Sequence, residues 1–213
     1  MNDIMAIAMA GLAGYLLGGI PVGLIVGRIA GVGDLREYGS GKTGFTNALR
    51  AMGKKWAVMV VAGDVLKGVL AVAVARLLFD GAPAAALAGS AAVFGHVFPV
   101  FAGFRGGRGV STAFGAFLMV SPVVALVIFS VSLVVLFTFR YASLMSVTGV
   151  AAALVAVAVL ATGGWLNLAY LALFAVPVTA LVELSHLENI RRLLAGTEPK
   201  LGQGGGRRAA GAS

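Results

Sequence analysis

The chain contains no cysteine. That excludes disulfides, thiolate metal sites and a cysteine nucleophile. Charge is also scarce: 11% of the 213 residues are charged, against roughly 25% in an ordinary soluble domain. Only 8 residues are acidic and 2 are histidines. No carboxylate cluster suited to Mg²⁺ and no His-rich metal set can be assembled from them, so neither a metal nor a cofactor is expected. The Gly-x-Ser-x-Gly nucleophile elbow is missing. So is a His-x4-Asp acyltransferase pair, since Phe101 follows His96 and Arg191 follows His186 at that spacing.

What the chain has instead is apolar surface: 60% hydrophobic residues and a mean hydropathy of +0.99. Such a composition cannot clothe a water-facing surface, so the chain reads as an all-α integral membrane protein. The first apolar run lacks a positive n-region and continues to about Ile29, which suits a retained span and not a cleaved signal peptide. The formal net charge of +8 sits in short loops and a tail. It is a topology signal, and nucleic acid is not an expected partner.

A hydrocarbon core of ~30 Å takes about 20 apolar residues per helix. Spans are expected near residues 4–28, 56–79 and 84–101, across 110–139 with a break at Ser121-Pro122, and near 144–160 and 166–184. Basic residues cluster at 28–55, at Arg105 and Arg108, at Arg140, and in the tail from Arg191. Splitting 110–139 into two spans puts all four clusters on one side. The expectation is therefore seven transmembrane helices, N-terminus outside and C-terminus cytoplasmic. Arg76 is the exception, with Asp80 four residues on as its expected partner. Residues 1–201 are expected to form a single domain and 202–213 a disordered tail.

Four polar stretches interrupt the apolar chain. The first, Gly39 to Arg50 (GSGKTGFTNALR), ends its Gly41-Lys42-Thr43 like a Walker A loop, but Arg36 stands where that motif needs glycine. It also matches G-x-G-x-x-G, yet follows a membrane helix and not a strand. The underlying physics still favours an anion cradle: glycines admit close backbone approach, and hydroxyls and cations bind phosphate. A flexible turn-rich loop is the bland alternative. The second stretch, from His96 to Thr112, sets Gly106, Gly107 and Gly109 around Arg108. The third is Asp64 with Lys67, one turn apart inside a span, either a structural ion pair or part of a site. The fourth holds His186 and Asn189 on one face of a helix after the last span, with an interfacial amphipathic helix as the alternative. All four fall on the cytoplasmic side or in the adjoining half of the membrane, which suits a single phosphate-binding site beside lipid.

Taken together, GSGKTGFTNALR, the Asp64/Lys67-Gly68 set, GHVFPVFAGFRGGRGVST and HLENIRRLLAGTEPK resemble the bacterial acyl-phosphate:glycerol-3-phosphate acyltransferases, the PlsY family, over nearly the whole chain. The resemblance implies a multi-pass enzyme of the bacterial inner membrane whose site faces the cytoplasm. It would move a fatty acyl group from acyl phosphate to the 1-hydroxyl of sn-glycerol 3-phosphate, giving lysophosphatidic acid and phosphate. Its partners would be those two substrates and membrane lipid, and a monomer is expected. By resemblance, Ser40, Arg50 and Arg108 contact the acyl phosphate group. Lys67, His186 and Asn189 lie on the glycerol phosphate side, and His96 orders the second loop or assists proton transfer. Gly39, Gly41, Lys42, Thr43, Asn47, Gly106, Gly107 and Gly109 complete the two binding loops, and Ser143 or Ser146 matches a further family serine.

Three positions depart from the family pattern. Lys42 stands in place of the usual Asn, Phe45 in place of Ala, and Arg108 in place of Lys. They leave two other readings: a diverged phosphate- or lipid-binding relative without turnover, and a transporter of a phosphorylated metabolite. The transporter would call for internal repeats or cations on both faces, and neither is present.

Overall fold

A computed structural model describes residues 3–203 and 206. The described chain is helical. The first apolar run is not one helix: α1 (Asp3–Gly18) and α2 (Val22–Ile29) are separated at Gly19-Ile20-Pro21, because Pro21 disfavours helical geometry at Ile20 and offers no N–H. A 3₁₀ turn (Leu35–Glu37) and α3 (Phe45–Met52) fold the first polar loop. Then come α4 (Lys54–Leu78) and α5 (Ala82–Val97), a 3₁₀ turn (Val100–Ala102), α6 (Val110–Val120) and α7 (Pro122–Phe139). α8 (Ala142–Thr162) is followed by α9 (Leu168–Tyr170), a π-helical turn (Leu171–Ala175), α10 (Val176–Ser185) and α11 (Leu187–Leu194).

Among the described residues six helical stretches are long and apolar enough to cross a membrane: Asp3–Ile29, Lys54–Leu78, Ala82–Ala102, Pro122–Phe139, Ala142–Thr162 and Leu168–Ser185. The break expected at Ser121-Pro122 is present. Ser121 caps α7, its Oγ accepting from the Val124 N–H at 3.4 Å, with Pro122 at the first helical position. α6 has 11 residues, so its length of about 16 Å is roughly half a hydrocarbon core.

Lipid already surrounds these helices with apolar contact, so they associate through close packing and not through a gain in burial. α4 lies against α6 where a Cβ at Gly68 would collide with the Thr112 carbonyl oxygen. α1 lies against α5 in the same way. The buried core runs through Val72, Val93, Phe117, Phe174 and Val182. The outward faces carry Leu77 and Phe137, 82% and 79% exposed, as lipid-facing helices require. Ser90 on α5 donates to the Leu173 carbonyl inside the π-turn and ties α5 to it.

Arg76 does not pair with Asp80. Its guanidinium donates to the Met119 carbonyl at 2.6 Å and to Tyr170 Oη at 3.1 Å. The helix break after Val120 leaves the last carbonyls of α6 without intrahelical donors, and a nearby guanidinium satisfies them. The tail expectation at 202–213 falls largely outside the described residues. Of that stretch Gly206 is placed, its carbonyl accepting from the Gly39 N–H at 3.1 Å.

Candidate active site

Asn47 shapes the first loop from within. Its Nδ2 donates to the carbonyls of Leu35 (3.0 Å) and Lys42 (2.8 Å), and its Oδ1 accepts from the Ser40 N–H at 3.1 Å. Asn47 is buried on α3, so one side chain closes the loop onto the helix that follows it. Gly39 and Gly41 take φ of 48° and 68°, the left-handed region where a side chain strains the backbone. α3 then starts at the loop's end and carries Arg50 in its last turn.

The second loop lies on the end of α5. The N–H groups of Gly106 and Gly107 donate to the Val97 and His96 carbonyls at 3.1 and 3.2 Å. A Cβ at Gly107 would strike His96 Nε2. His96 is therefore the floor on which this loop rests. Gly109 caps α6 at φ 83°, and Arg108 precedes it. The starts of α3 and α6 both border the site, bringing unpaired N–H groups and the positive ends of two helix dipoles.

The third part comes from the C-terminal end. His186 sits between α10 and α11 with Nδ1 2.8 Å from the Val182 carbonyl. That contact requires the proton on Nδ1 and leaves Nε2 as an acceptor in the neutral ring. Asn189 Nδ2 donates to Glu198 Oε1 at 2.7 Å, and Arg192 Nε to Glu198 Oε2 at 2.8 Å.

Two cavities meet here. A polar one of about 250 Å³ is lined by Gly39, Ser40, Arg50, Ser143, Asn189 and Glu198, among others. An apolar one of about 310 Å³ runs between α4, α6, α7 and α8 past Phe45, Phe114, Phe129 and Leu133. Ser40, Thr46, Arg108, Ser146 and His186 line both. The junction thus presents a hydroxyl, a guanidinium and an imidazole, with water-compatible space on one side and hydrocarbon-compatible space on the other.

Its electrostatics favour an anion. Burial pushes Arg108 down to about 10, with Glu198 opposing that shift and Arg192 and Arg50 adding to it, so it remains a cation at neutral pH. Burial also lowers Arg50. The Nε–H groups of both arginines are buried without an acceptor among the described residues. Burial pushes His186 down to about 4, keeping it neutral. Burial raises Glu198, but the hydrogen bonds from Asn189 and Arg192 and the charge of Arg192 oppose it, and the carboxyl is held below its ordinary range.

The sequence-derived residues divide accordingly. Gly39, Ser40, Arg50, Arg108, Ser143, Ser146, His186 and Asn189 line the polar cavity. Lys42, Asn47, His96 and Gly109 border the apolar one. Gly41, Thr43, Lys67, Gly106 and Gly107 line neither. Thr43 is buried, its carbonyl against Gly23. Lys67 sits beneath the site, with Nζ 3.1 Å from Asp64 Oδ1 and donating to the Ile20 carbonyl at 3.0 Å. Asp64 also faces His96 Nδ1 at 3.4 Å. The Ser146 hydroxyl is taken by the Ala142 carbonyl at 2.9 Å, whereas the Ser143 hydroxyl is buried without a hydrogen-bond partner among the described residues. Sequence reasoning gave no site role to Glu198 or Arg192, and it read Asp64 with Lys67, as an ion pair or part of a site. A carboxylate just past an Arg-Arg helix was the available signal for Glu198.

The family model described as glycerol-3-phosphate acyltransferase matches residues 8–196. The glycerol-3-phosphate acyltransferase of Caulobacter vibrioides is 44% identical over 209 residues, covering 95% of this chain and 94% of that one. Glycerol-3-phosphate acyltransferase 1 of Deinococcus radiodurans is 44% identical, covering 92% and 96%. The crystal structure of PlsY (YgiH), an integral membrane glycerol 3-phosphate acyltransferase in its glycerol 3-phosphate form, superposes with a TM-score of 0.82 at 39% identity, over 94% of this chain and 96% of that one. Fold, site and sequence agree, and the chain belongs to the glycerol-3-phosphate acyltransferase family of integral membrane enzymes that includes PlsY.

Proposed function

We propose that this protein transfers a fatty acyl group from acyl phosphate to the 1-hydroxyl of sn-glycerol 3-phosphate, forming lysophosphatidic acid for phospholipid synthesis. The observation that carries this reading is the meeting of a polar and an apolar cavity at Ser40, Arg108 and His186. One substrate is water-soluble and the other carries a lipid tail, and their reacting atoms must come together at such a junction. Solved PlsY structures are named for glycerol 3-phosphate and lysophosphatidic acid forms, which supports the same substrate and product here.

In this reading the acyl tail lies along the apolar cavity. Ser40, Arg50 and Arg108 hold the acyl phosphate group, with the first turns of α3 and α6 supplying backbone N–H groups. Asn189, His186 and Ser143 orient glycerol 3-phosphate. Its hydroxyl attacks the carbonyl carbon, the C–O bond to phosphate breaks, and inorganic phosphate leaves. Arg108 neutralises charge as the bridging oxygen departs. His186, at about 4, is a weak base at neutral pH. It orients the hydroxyl through Nε2, and the departing phosphate, whose esters have a second pKa of about 6, takes the proton. Acyl phosphate is already activated, so positioning supplies most of the catalysis and no covalent enzyme intermediate is needed.

The same reading counts α6 as a seventh, short span, with the N-terminus outside and all three site segments at the cytoplasmic face of a bacterial inner membrane. Clustering of the basic loops at one end of the bundle supports it. The cysteine-free sequence makes the test direct: a cysteine at Trp165, 83% exposed in the turn after α8, should react with an impermeant maleimide in whole cells, and one at Tyr141 should not. Reversed labelling would contradict the topology. Residues 1–201 are taken as the catalytic unit and the protein as a monomer. Full activity after truncation at Leu201, and a one-chain mass by light scattering in detergent, are the expected results; lost activity or a dimer mass would contradict them.

The function is tested by phosphate release from acyl phosphate by purified protein with and without glycerol 3-phosphate. Release should require both, and Arg50→Ala and Arg108→Ala should each lower turnover at least about 100-fold, the scale of a lost transition-state contact. Uptake of glycerol 3-phosphate into vesicles without chemistry would favour a transporter, and binding without turnover a non-catalytic relative.

A further inference from the structure

Arg36 joins the two glycine loops. It lies in the 3₁₀ turn Leu35–Glu37, three residues ahead of Gly39. Its Nε is 3.0 Å from Asp34 Oδ1, and its Nη2 donates to Asp34 Oδ2 at 2.7 Å, so the guanidinium is held edge-on by a two-point carboxylate contact. The Asp34 carboxylate also accepts from the Arg36 N–H at 2.8 Å, fixing the carboxylate itself. The other edge of the guanidinium points across a gap in the chain. Nη1 donates to the Ala102 carbonyl at 2.9 Å and to the Arg105 carbonyl at 3.2 Å. Those carbonyls open the second loop, and Arg105 stands three residues before Arg108.

We propose that Arg36 is a positioning residue for acyl transfer, a planar staple that holds the loop bearing Ser40 in register with the loop bearing Arg108. Several features favour this over a plain surface ion pair. An exposed Arg–Asp pair is worth little by itself. Here the pair serves to aim a third contact at two backbone carbonyls about 66 positions along the chain, as the separation of 66 between Arg36 and Ala102 records. Both ends of the staple are anchored. Leu35 is fully buried in the small cluster with Leu24, Ala48 and Val60, and Ala102 packs against that same cluster. Gly106 and Gly107 are tied to the end of α5 by the backbone bonds described above. The staple is therefore placed to set the distance between the loops without touching substrate. Lysine cannot replace it, because a single ammonium cannot grip a carboxylate at two points and reach two carbonyls from its far edge.

This inference rests on the acyltransferase reading, so wild-type turnover is the first arm of its test. If the wild type fails to release phosphate with both substrates present, the function falls. If it turns over, the staple is judged on variants purified alongside. Arg36→Ala should raise KM for glycerol 3-phosphate and for acyl phosphate together, each about tenfold, the scale of one charge-assisted hydrogen bond lost from a preorganised site. Arg36→Lys should lie nearer to Arg36→Ala than to wild type. Amide hydrogen exchange at 103–109 should quicken in both. A residue that only stabilises the fold would lower apparent kcat, through fewer active molecules, and leave both KM values unchanged; that outcome overturns the proposal, as does a wild-type KM in Arg36→Lys. Should Arg36→Ala not yield folded protein, Asp34→Asn decides by the same two constants. It keeps Arg36 in place and removes its support, so both KM values should rise about threefold or more, partway toward a lost charge-assisted contact, and unchanged values would overturn the staple.

Discussion

Asn189 donates to Glu198 over 2.7 Å, and the same carboxylate takes Arg192 at 2.8 Å. Glu198 thereby returns the chain onto α11 and fixes the amide that faces the polar cavity. It also places one negative charge beside Arg50 and Arg108, so that the site is cationic without being crowded by uncompensated arginines.

Removing that carboxylate should therefore act on stability and turnover together. Glu198→Ala strands the Asn189 amide and the Arg192 guanidinium, at a cost of about 1–3 kcal/mol. The expected result is a lowered melting temperature in detergent and a kcat/KM at least about tenfold down, with Glu198→Gln recovering the Asn189 contact and part of both losses. A variant as stable and active as wild type would show that the tail contact is incidental.

His186 gives a pH expectation with a definite sign. Its folded pKa is lowered from 6.5 to about 4, first by burial. The unfolded chain therefore binds a proton in that interval that the folded chain does not. The contribution of this group to stability is full above pH 6.5 and is lost as pH falls from 6.5 toward 4. Imidazole nitrogen shifts measured by NMR should show His186 neutral and protonated on Nδ1 between about pH 5.5 and 8. Titration with a midpoint near its ordinary value would contradict the buried, Val182-bonded ring.

The buried Asp64–Lys67 pair offers a test of what the third polar motif does. Breaking one partner leaves a charge inside the bundle, at a cost of about 3–5 kcal/mol. Lys67→Met should destabilise strongly, and adding Asp64→Asn should recover much of the melting temperature. If Lys67 instead contacted substrate, the double variant would remain stable but fail to bind glycerol 3-phosphate, which isothermal titration would detect.

These residues also mark what the sequence could and could not reveal. The membrane spans are legible from hydropathy alone, and Ser121-Pro122 announces its own break because proline sets a helix start and serine caps it. The break at Gly19-Ile20-Pro21 is masked by apolar residues on either side, so α1 and α2 read as one span. Ser40, Arg50, Arg108, His186 and Asn189 stand out because polar groups are rare in this chain, and the fold brings them to one cavity. Lys67 stands out for the same reason, yet its depth beside Ile20 and Asp64 depends on how α4 packs. Arg36 acts through contacts that close only when two distant loops meet, and no local pattern announces them. Glu198 reaches back only nine and six residues, and the one signal for it is a carboxylate placed just past an Arg-Arg helix.

The central claim is direct transfer between two substrates held at once across the junction at Ser40, Arg108 and His186. Initial rates measured while varying acyl phosphate and glycerol 3-phosphate independently test it most directly. The account predicts double-reciprocal lines that intersect and no burst of phosphate before glycerol 3-phosphate is added. Parallel lines, with a stoichiometric burst from acyl phosphate alone, would establish an acyl-enzyme intermediate and contradict it.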